Sequence, residues 1–146
     1  MPPSYKLIYF NWKGRAEGAR YIFHLAGQEF EDYRVTKEEW KQLKPKTPLG
    51  QIPILEVDGK QLPQSHAIRR YLAEELGFLG SSLWERAQIN VVCETVKDFA
   101  PEISQFFAEK DETRKAELKK AYLTVGVYKH IGNLEKLLKQ NNGGTG

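Results

Sequence analysis

The hydrophobic spacing of this chain changes character once, and that change limits what the chain can fold into. Up to about residue 76, stretches with the two-residue period of a strand alternate with stretches of helical period. Beyond residue 82 only the helical period remains. Residues 5 to 10, Tyr-Lys-Leu-Ile-Tyr-Phe, are β-prone and end at Asn11, ahead of Gly14. From Arg15 the pattern is helical, with Ala16, Ala19, Ile22, Phe23 and Ala26 on one face and Gly27 as the stop. Residues 30 to 35 read as a second strand, after which Thr36 and Glu39 have the spacing of a capping box for a short helix that stops by Pro45. Residues 51 to 57, Gln-Ile-Pro-Ile-Leu-Glu-Val, read as a third strand, Asp58-Gly59 as a hairpin turn, and residues 60 to 62 as the returning edge strand. Ser65 begins a helix with Ala67, Ile68, Tyr71, Leu72 and Leu76 as its apolar positions, closed by Gly77. The order β-α-β-α-β-β-α describes a mixed sheet with helices on both faces.

Residues 77–82 read as a linker and a domain boundary, giving domains of 1–77 and 83–146. In the second, Ile89, Val92, Val96, Phe99, Ile103 and Phe106 form the seam of one long helix, which Pro101 should kink. Leu118, Tyr122, Val125, Ile131, Leu134 and Leu138 form the face of another. Two helices make a hairpin rather than a bundle, so this is expected to be a partial all-α domain with later helices absent. Its apolar faces call for the first domain, more chain or a second subunit.

Composition excludes several classes. At 40% hydrophobic and 28% charged residues, the chain is too apolar for disorder and too polar for a membrane span. No apolar run is long enough to cross a bilayer, and the opening Met-Pro-Pro-Ser-Tyr-Lys lacks a signal-peptide core. The single cysteine, Cys93, rules out an internal disulfide framework and points to a reduced, cytoplasmic setting. The net charge of +3 arises entirely beyond residue 108, from lysines and an arginine at helical spacing, the signature of a solvated face rather than a nucleic-acid surface.

Familiar catalytic signatures are missing: no Walker A loop, no G-x-G-x-x-G, no H-E-x-x-H and no EF-hand loop. His24, His66 and His130 fall in separate segments without ligand spacing, and Cys93 lies among apolar neighbours as an inert thiol would. The remaining candidates are less conspicuous. Tyr9 lies near the end of the first strand, just ahead of a helix start, where a ligand could meet a phenol and free amides; it reads at least as well as a core aromatic with its hydroxyl at the surface. Arg15 at the positive end of a helix dipole is an oddity that favours a functional role. Ile52-Pro53 is a candidate cis bond beside a groove. Gln64-Ser65 reads as an N-cap or as an anion site at a helix N-terminus.

Together these positions carry a resemblance. The run Tyr9-Phe10-Asn11-Trp12-Lys13-Gly14-Arg15-Ala16-Glu17 resembles the opening of sigma-class glutathione S-transferases, the class that includes glutathione-dependent prostaglandin D synthases. Glu38-Glu39-Trp40, then Gly50-Gln51-Ile52-Pro53-Ile54-Leu55, then Gln64-Ser65-His66-Ala67-Ile68-Arg69-Arg70-Tyr71-Leu72-Ala73, continue it in order, in a style similar to nematode members. The resemblance implies a thioredoxin-like first domain, an all-helical second domain, and detoxification chemistry on a small hydrophobic electrophile with glutathione as co-substrate. Carried over by position, it implies that Tyr9 hydrogen-bonds the glutathione sulfur and Arg15 supports it electrostatically. Trp40 and Lys44 would hold the glycine end, Ile52 the cysteinyl backbone with Pro53 and Gln51 alongside, and Gln64 and Ser65 the γ-glutamyl end. Asp98 would reach the γ-glutamyl amine bound to the partner of a homodimer.

The chain also departs from the pattern. Family chains continue through more helices, so a C-terminal truncation is expected, with loss of part of the electrophile pocket. Lys97 replaces an acid of a divalent-cation site that some members carry, so no metal is expected. Two other readings compete: a catalytically weak glutathione-binding or structural homologue, as lens crystallins are, and a fragment whose exposed helix faces drive association.

Overall fold

The computed structural model describes residues 2–144. They divide into two compact units between Leu79 and Gly80.

The first unit is built on a four-stranded mixed sheet of order β2-β1-β3-β4. Strand β1 (Tyr5–Phe10) pairs in parallel with β2 (Glu31–Val35) and antiparallel with β3 (Ile54–Val57), which forms a hairpin with β4 (Lys60–Pro63). The alternation of β1 sends its side chains to two different cores. Tyr5, Leu7 and Tyr9 join Ala16, Ala19 and Phe23 of the following helical segment, Leu55, and Ile68 and Leu72 of a later helix. Ile8 turns to the opposite face, where Val35 and Ile54 form a smaller cluster capped by Phe10, Trp40 and Leu43. The helices are α1 (Glu17–Ala26), preceded by a 3-10 turn at Gly14–Ala16, α2 (Lys37–Leu43) and α3 (Ser65–Glu75). This is the thioredoxin-like arrangement that the resemblance implies.

Local chemistry accounts for the helix ends. Gly27 takes a left-handed conformation (φ 63°) after α1, and the Gln28 amide reaches back to the Phe23 carbonyl at 3.0 Å, a Schellman closure. At α2 the Thr36 hydroxyl accepts from the Glu39 amide at 3.1 Å while the Glu39 carboxylate accepts from the Thr36 amide at 2.7 Å. Thr36→Ala is expected to destabilise the first unit by about 1 kcal/mol, seen as a lower urea midpoint. The Thr36 amide and hydroxyl also hold the Glu39 carboxyl below its ordinary range, and the Ser81 hydroxyl with the Ser81 and Ser82 amides does the same for Glu85. Both carboxylates favour the fold above the ordinary glutamate range, and that contribution is lost as pH falls through their depressed values. Thermal melts should therefore show stability falling as pH drops below the ordinary glutamate range.

Two sequence expectations change here. Residues 51–53 are not part of β3: the ladder with β1 begins at Ile8 opposite Ile54, and Pro53 has no amide to extend it. The second strand and the edge strand shift by one residue, to Glu31–Val35 and Lys60–Pro63.

The second unit is helical: α4 (Leu83–Lys97), α5 (Phe99–Ala108), α6 (Glu112–Ala121) and α7 (Val127–Gln140). The expected kinked helix is two helices that break at Asp98, three residues before Pro101, because the proline ring collides with the carbonyl one turn back. The other expected long helix is α6 and α7 joined by a π-helical turn, Tyr122–Gly126. Phe106 and His130 are buried in this unit; the His130 Nε2 lies 2.8 Å from Glu102 Oε1 and its ring packs on Phe99. Among the described residues, no helix is long and apolar enough to cross a membrane, and no group of three or more metal-ligating side chains converges.

Candidate functional site

Tyr9 is 7% exposed at the end of β1, between the sheet and the turn that leads into α1. Its hydroxyl accepts a hydrogen bond from the Arg15 amide at 3.2 Å. The approach is close enough to require glycine at position 14: φ is +44°, and a Cβ there would lie 2.5 Å from the Tyr9 oxygen. The phenol is thus held by main chain rather than by another side chain, and its own proton stays available to donate.

Arg15 links this tyrosine to a cleft. Its exposed side chain lines a small depression together with Leu49, Gln51, Ile52, Pro53, Pro63, Gln64 and Ser65. The enclosed part is about 20 Å³, room for one water, so a peptide-sized ligand would lie along its open surface. Two local features shape it. The Ile52–Pro53 peptide is cis, and residues 51–53 lie outside the β3 ladder. Opposite, Gln64 adopts φ 76° and ψ 110°, a region that disfavours any residue with a Cβ by about 1–3 kcal/mol. That turn starts α3 at Ser65, whose first-turn amides have no intrahelical acceptor. An anion placed there meets N–H donors and the positive end of an eleven-residue helix dipole.

Trp40 and Lys44 lie further along the same unit. An aromatic path runs from Tyr9 edge-on to Trp12, from Trp12 stacked on Phe10 at 4.6 Å, and from Phe10 edge-on to Trp40. Lys44 follows α2, and its side chain runs beside Gly50, the residue before Gln51. The first unit therefore gathers Arg15, Gln51, Ile52, Pro53, Gln64 and Ser65 at one cleft, ties Tyr9 to it through Arg15, and sets Lys44 and Trp40 on the approach. Asp98 belongs to the second unit, exposed at the junction of α4 and α5.

A larger depression, about 870 Å³, lies in the second unit between the end of α5 and α6. It is an open groove with Glu109, Asp111, Arg114 and Glu117 on its walls, and Glu109 already pairs with Arg114. Size is no guide to chemistry here.

Sequence reasoning missed Arg20. It is 4% exposed inside α1, with Nη1 bonded to Glu17 at 2.9 Å and to the Trp12 carbonyl at 3.0 Å, and Nε bonded to Asp32 at 3.1 Å. The available signal was its place beside Ala19 on the apolar face of the helix, with Glu17 three residues before it.

The first unit thus sets a buried phenol near the end of β1 beside a cleft made by a cis-proline turn and a helix N-terminus. The family model for the glutathione S-transferase N-terminal domain matches residues 5–74. Glutathione S-transferase 1 of Ascaris suum is 45% identical over 142 residues, which cover 95% of this chain and 69% of that protein. Two solved structures are also similar. A prostaglandin synthase D of Nilaparvata lugens has a TM-score of 0.89 at 41% identity, over 95% of this chain and 70% of that one. A Nu-class transferase from Haemonchus contortus has a TM-score of 0.69 at 52% identity, over 73% and 52%. The chain belongs to the glutathione S-transferase family.

Proposed function

We propose that this protein conjugates reduced glutathione to small hydrophobic electrophiles, with Tyr9 as the residue that activates the thiol. The observation that carries this reading is the Tyr9 hydroxyl, fixed by the Arg15 amide at the head of the cleft. A free thiol with a pKa of about 8.5 is only a few per cent thiolate at neutral pH. Lowering that value by two units requires about 2.7 kcal/mol of differential stabilisation. One charge-assisted hydrogen bond from a phenol supplies about 1.5–3 kcal/mol, and the Arg15 charge adds to it. The thiolate sulfur then forms a bond to an electrophilic carbon, the leaving group departs with its electron pair, and the thiol proton passes to solvent.

The rest of the site is assigned to the tripeptide. Gln64 and Ser65 take the γ-glutamyl carboxylate at the start of α3. Ile52, with Gln51 and Pro53 beside it, pairs its main chain with the cysteinyl unit, and Trp40 and Lys44 hold the glycine carboxylate. Asp98 serves the γ-glutamyl amine of a partner subunit, which makes the working form a homodimer. The unit of residues 1–77 is then the glutathione-binding domain. The opening motif from Tyr9 to Glu17 supports sigma class, the single cysteine supports a cytoplasmic setting, and detoxification is the expected role. No metal is assigned.

A glutathione-dependent conjugation assay with chlorodinitrobenzene tests the reading. The rate is expected to be linear in protein and saturable in glutathione; a rate equal to the uncatalysed background would overturn it. Ser65→Ala is expected to weaken glutathione binding about tenfold while leaving the thermal midpoint in place.

A further inference from the structure

We infer that Arg20 is a positioning residue for Tyr9: its buried guanidinium fixes the turn that presents the Arg15 amide to the tyrosine. The inference rests on the reading of Tyr9 as the thiol-activating group.

The turn between β1 and α1 does two things at once. It brings the Arg15 amide to the Tyr9 oxygen at 3.2 Å and lets Gly14 press against the same hydroxyl. Three residues with no regular pairing have to be held for that, and Arg20 holds them from inside. Its Nη1 donates to the carbonyls of Trp12 and Lys13, at 3.0 and 3.4 Å, and to the Glu17 carboxylate at 2.9 Å, while Nε donates to Asp32 on β2. Asp32 in turn binds Arg34, whose Nη1 donates to the Asn11 side chain at 2.8 Å, so the start of the turn is braced from β2 as well. The geometry is a fork that only a planar guanidinium spans.

A strut between α1 and β2 alone would not need the bonds to the Trp12 and Lys13 carbonyls. The guanidinium carbon lies 6.0 Å from the centre of the Tyr9 ring, at the outer limit of cation–π contact. Its Nη2 is buried without a hydrogen-bond partner among the described residues. Glu17 and Asp32 match the guanidinium charge, so what Arg20 supplies to Tyr9 is the position of the turn it holds.

Arg20→Gln and Arg20→Lys, compared with Tyr9→Phe, test this on the full chain with reduced glutathione. The readouts are kcat, KM for glutathione, and the near-ultraviolet absorbance of the bound thiolate against pH. Arg20→Gln is expected to lower kcat five- to tenfold with KM changed less than threefold, and to move thiol ionisation upward by about one pH unit. Arg20→Lys, which cannot span the fork, is expected to leave most of that shift in place. If Tyr9→Phe is inactive while both Arg20 variants match wild type in kcat and in the ionisation midpoint, the inference fails and the Tyr9 reading stands. If Tyr9→Phe is itself unchanged, the underlying reading fails. Should the variants not fold, the wild-type Arg20 side-chain N–H resonances decide: they are expected to titrate with the bound thiol, and resonances indifferent to it would overturn the inference.

Discussion

Tyr9→Phe should lose about 10- to 150-fold in conjugation rate while folding as the wild type does. The expected size follows from the one group removed. A hydroxyl donating to a developing thiolate contributes about 1.5–3 kcal/mol, and phenylalanine keeps the ring in the core cluster that also holds Leu7, Ala16 and Leu55. The loss should fall on kcat and on the pH dependence, because the thiol loses its donor while the tripeptide keeps its contacts along the cleft. Fluorescence-detected unfolding and the assay on the same preparation separate the two effects. A variant with unchanged turnover would remove Tyr9 from the mechanism.

Gly14→Ala should damage both stability and activity. A non-glycine residue at φ +44° costs about 1–2 kcal/mol, and the added methyl meets Tyr9 Oη at 2.5 Å, Tyr9 Cε1 at 2.8 Å and Trp12 Cδ1 at 2.9 Å. Overpacking of this kind adds about 1–3 kcal/mol. The ring of Tyr9 cannot retreat, since it is buried against the sheet, so the turn must move and carry the Arg15 amide away from the hydroxyl. The expected outcome is a loss of about 2–5 kcal/mol in chemical denaturation together with at least a tenfold lower rate. A variant that keeps both wild-type values would show that the turn is not held against the phenol.

Much of the first unit was legible because its determinants are local. The alternation in Tyr5–Phe10, the capping box of Thr36 and Glu39, and the glycines after α1 and α3 each act within a few residues. Residues 51–53 were misread for the opposite reason. Their apolar character suits a strand, but whether they pair depends on how far β1 extends beside them. The helical part shows the same limit: Pro101 forecasts a disturbance, yet its ring acts one turn upstream, so the break falls at Asp98, and nothing in the composition of Tyr122–Gly126 marks a π-helical turn.

The site divides in the same way. Arg15, Gln64 and Ser65 drew attention by their positions at helix starts, whereas the parts proposed for Trp40, Lys44 and Asp98 rest on resemblance alone. Arg20 had only its place on the apolar face of α1 to mark it. Its environment is made by Asp32 on β2 and by two turn carbonyls, none of which the spacing within α1 can place.

A calorimetric titration of the full chain with reduced glutathione tests the central claim most directly. The account predicts saturable binding with close to one site per chain, weakened about tenfold by Ser65→Ala. The absence of any binding heat across temperatures, with competition by a glutathione conjugate also silent, would contradict it: the cleft between Arg15 and Ser65 would then be the shape of a glutathione site without its function.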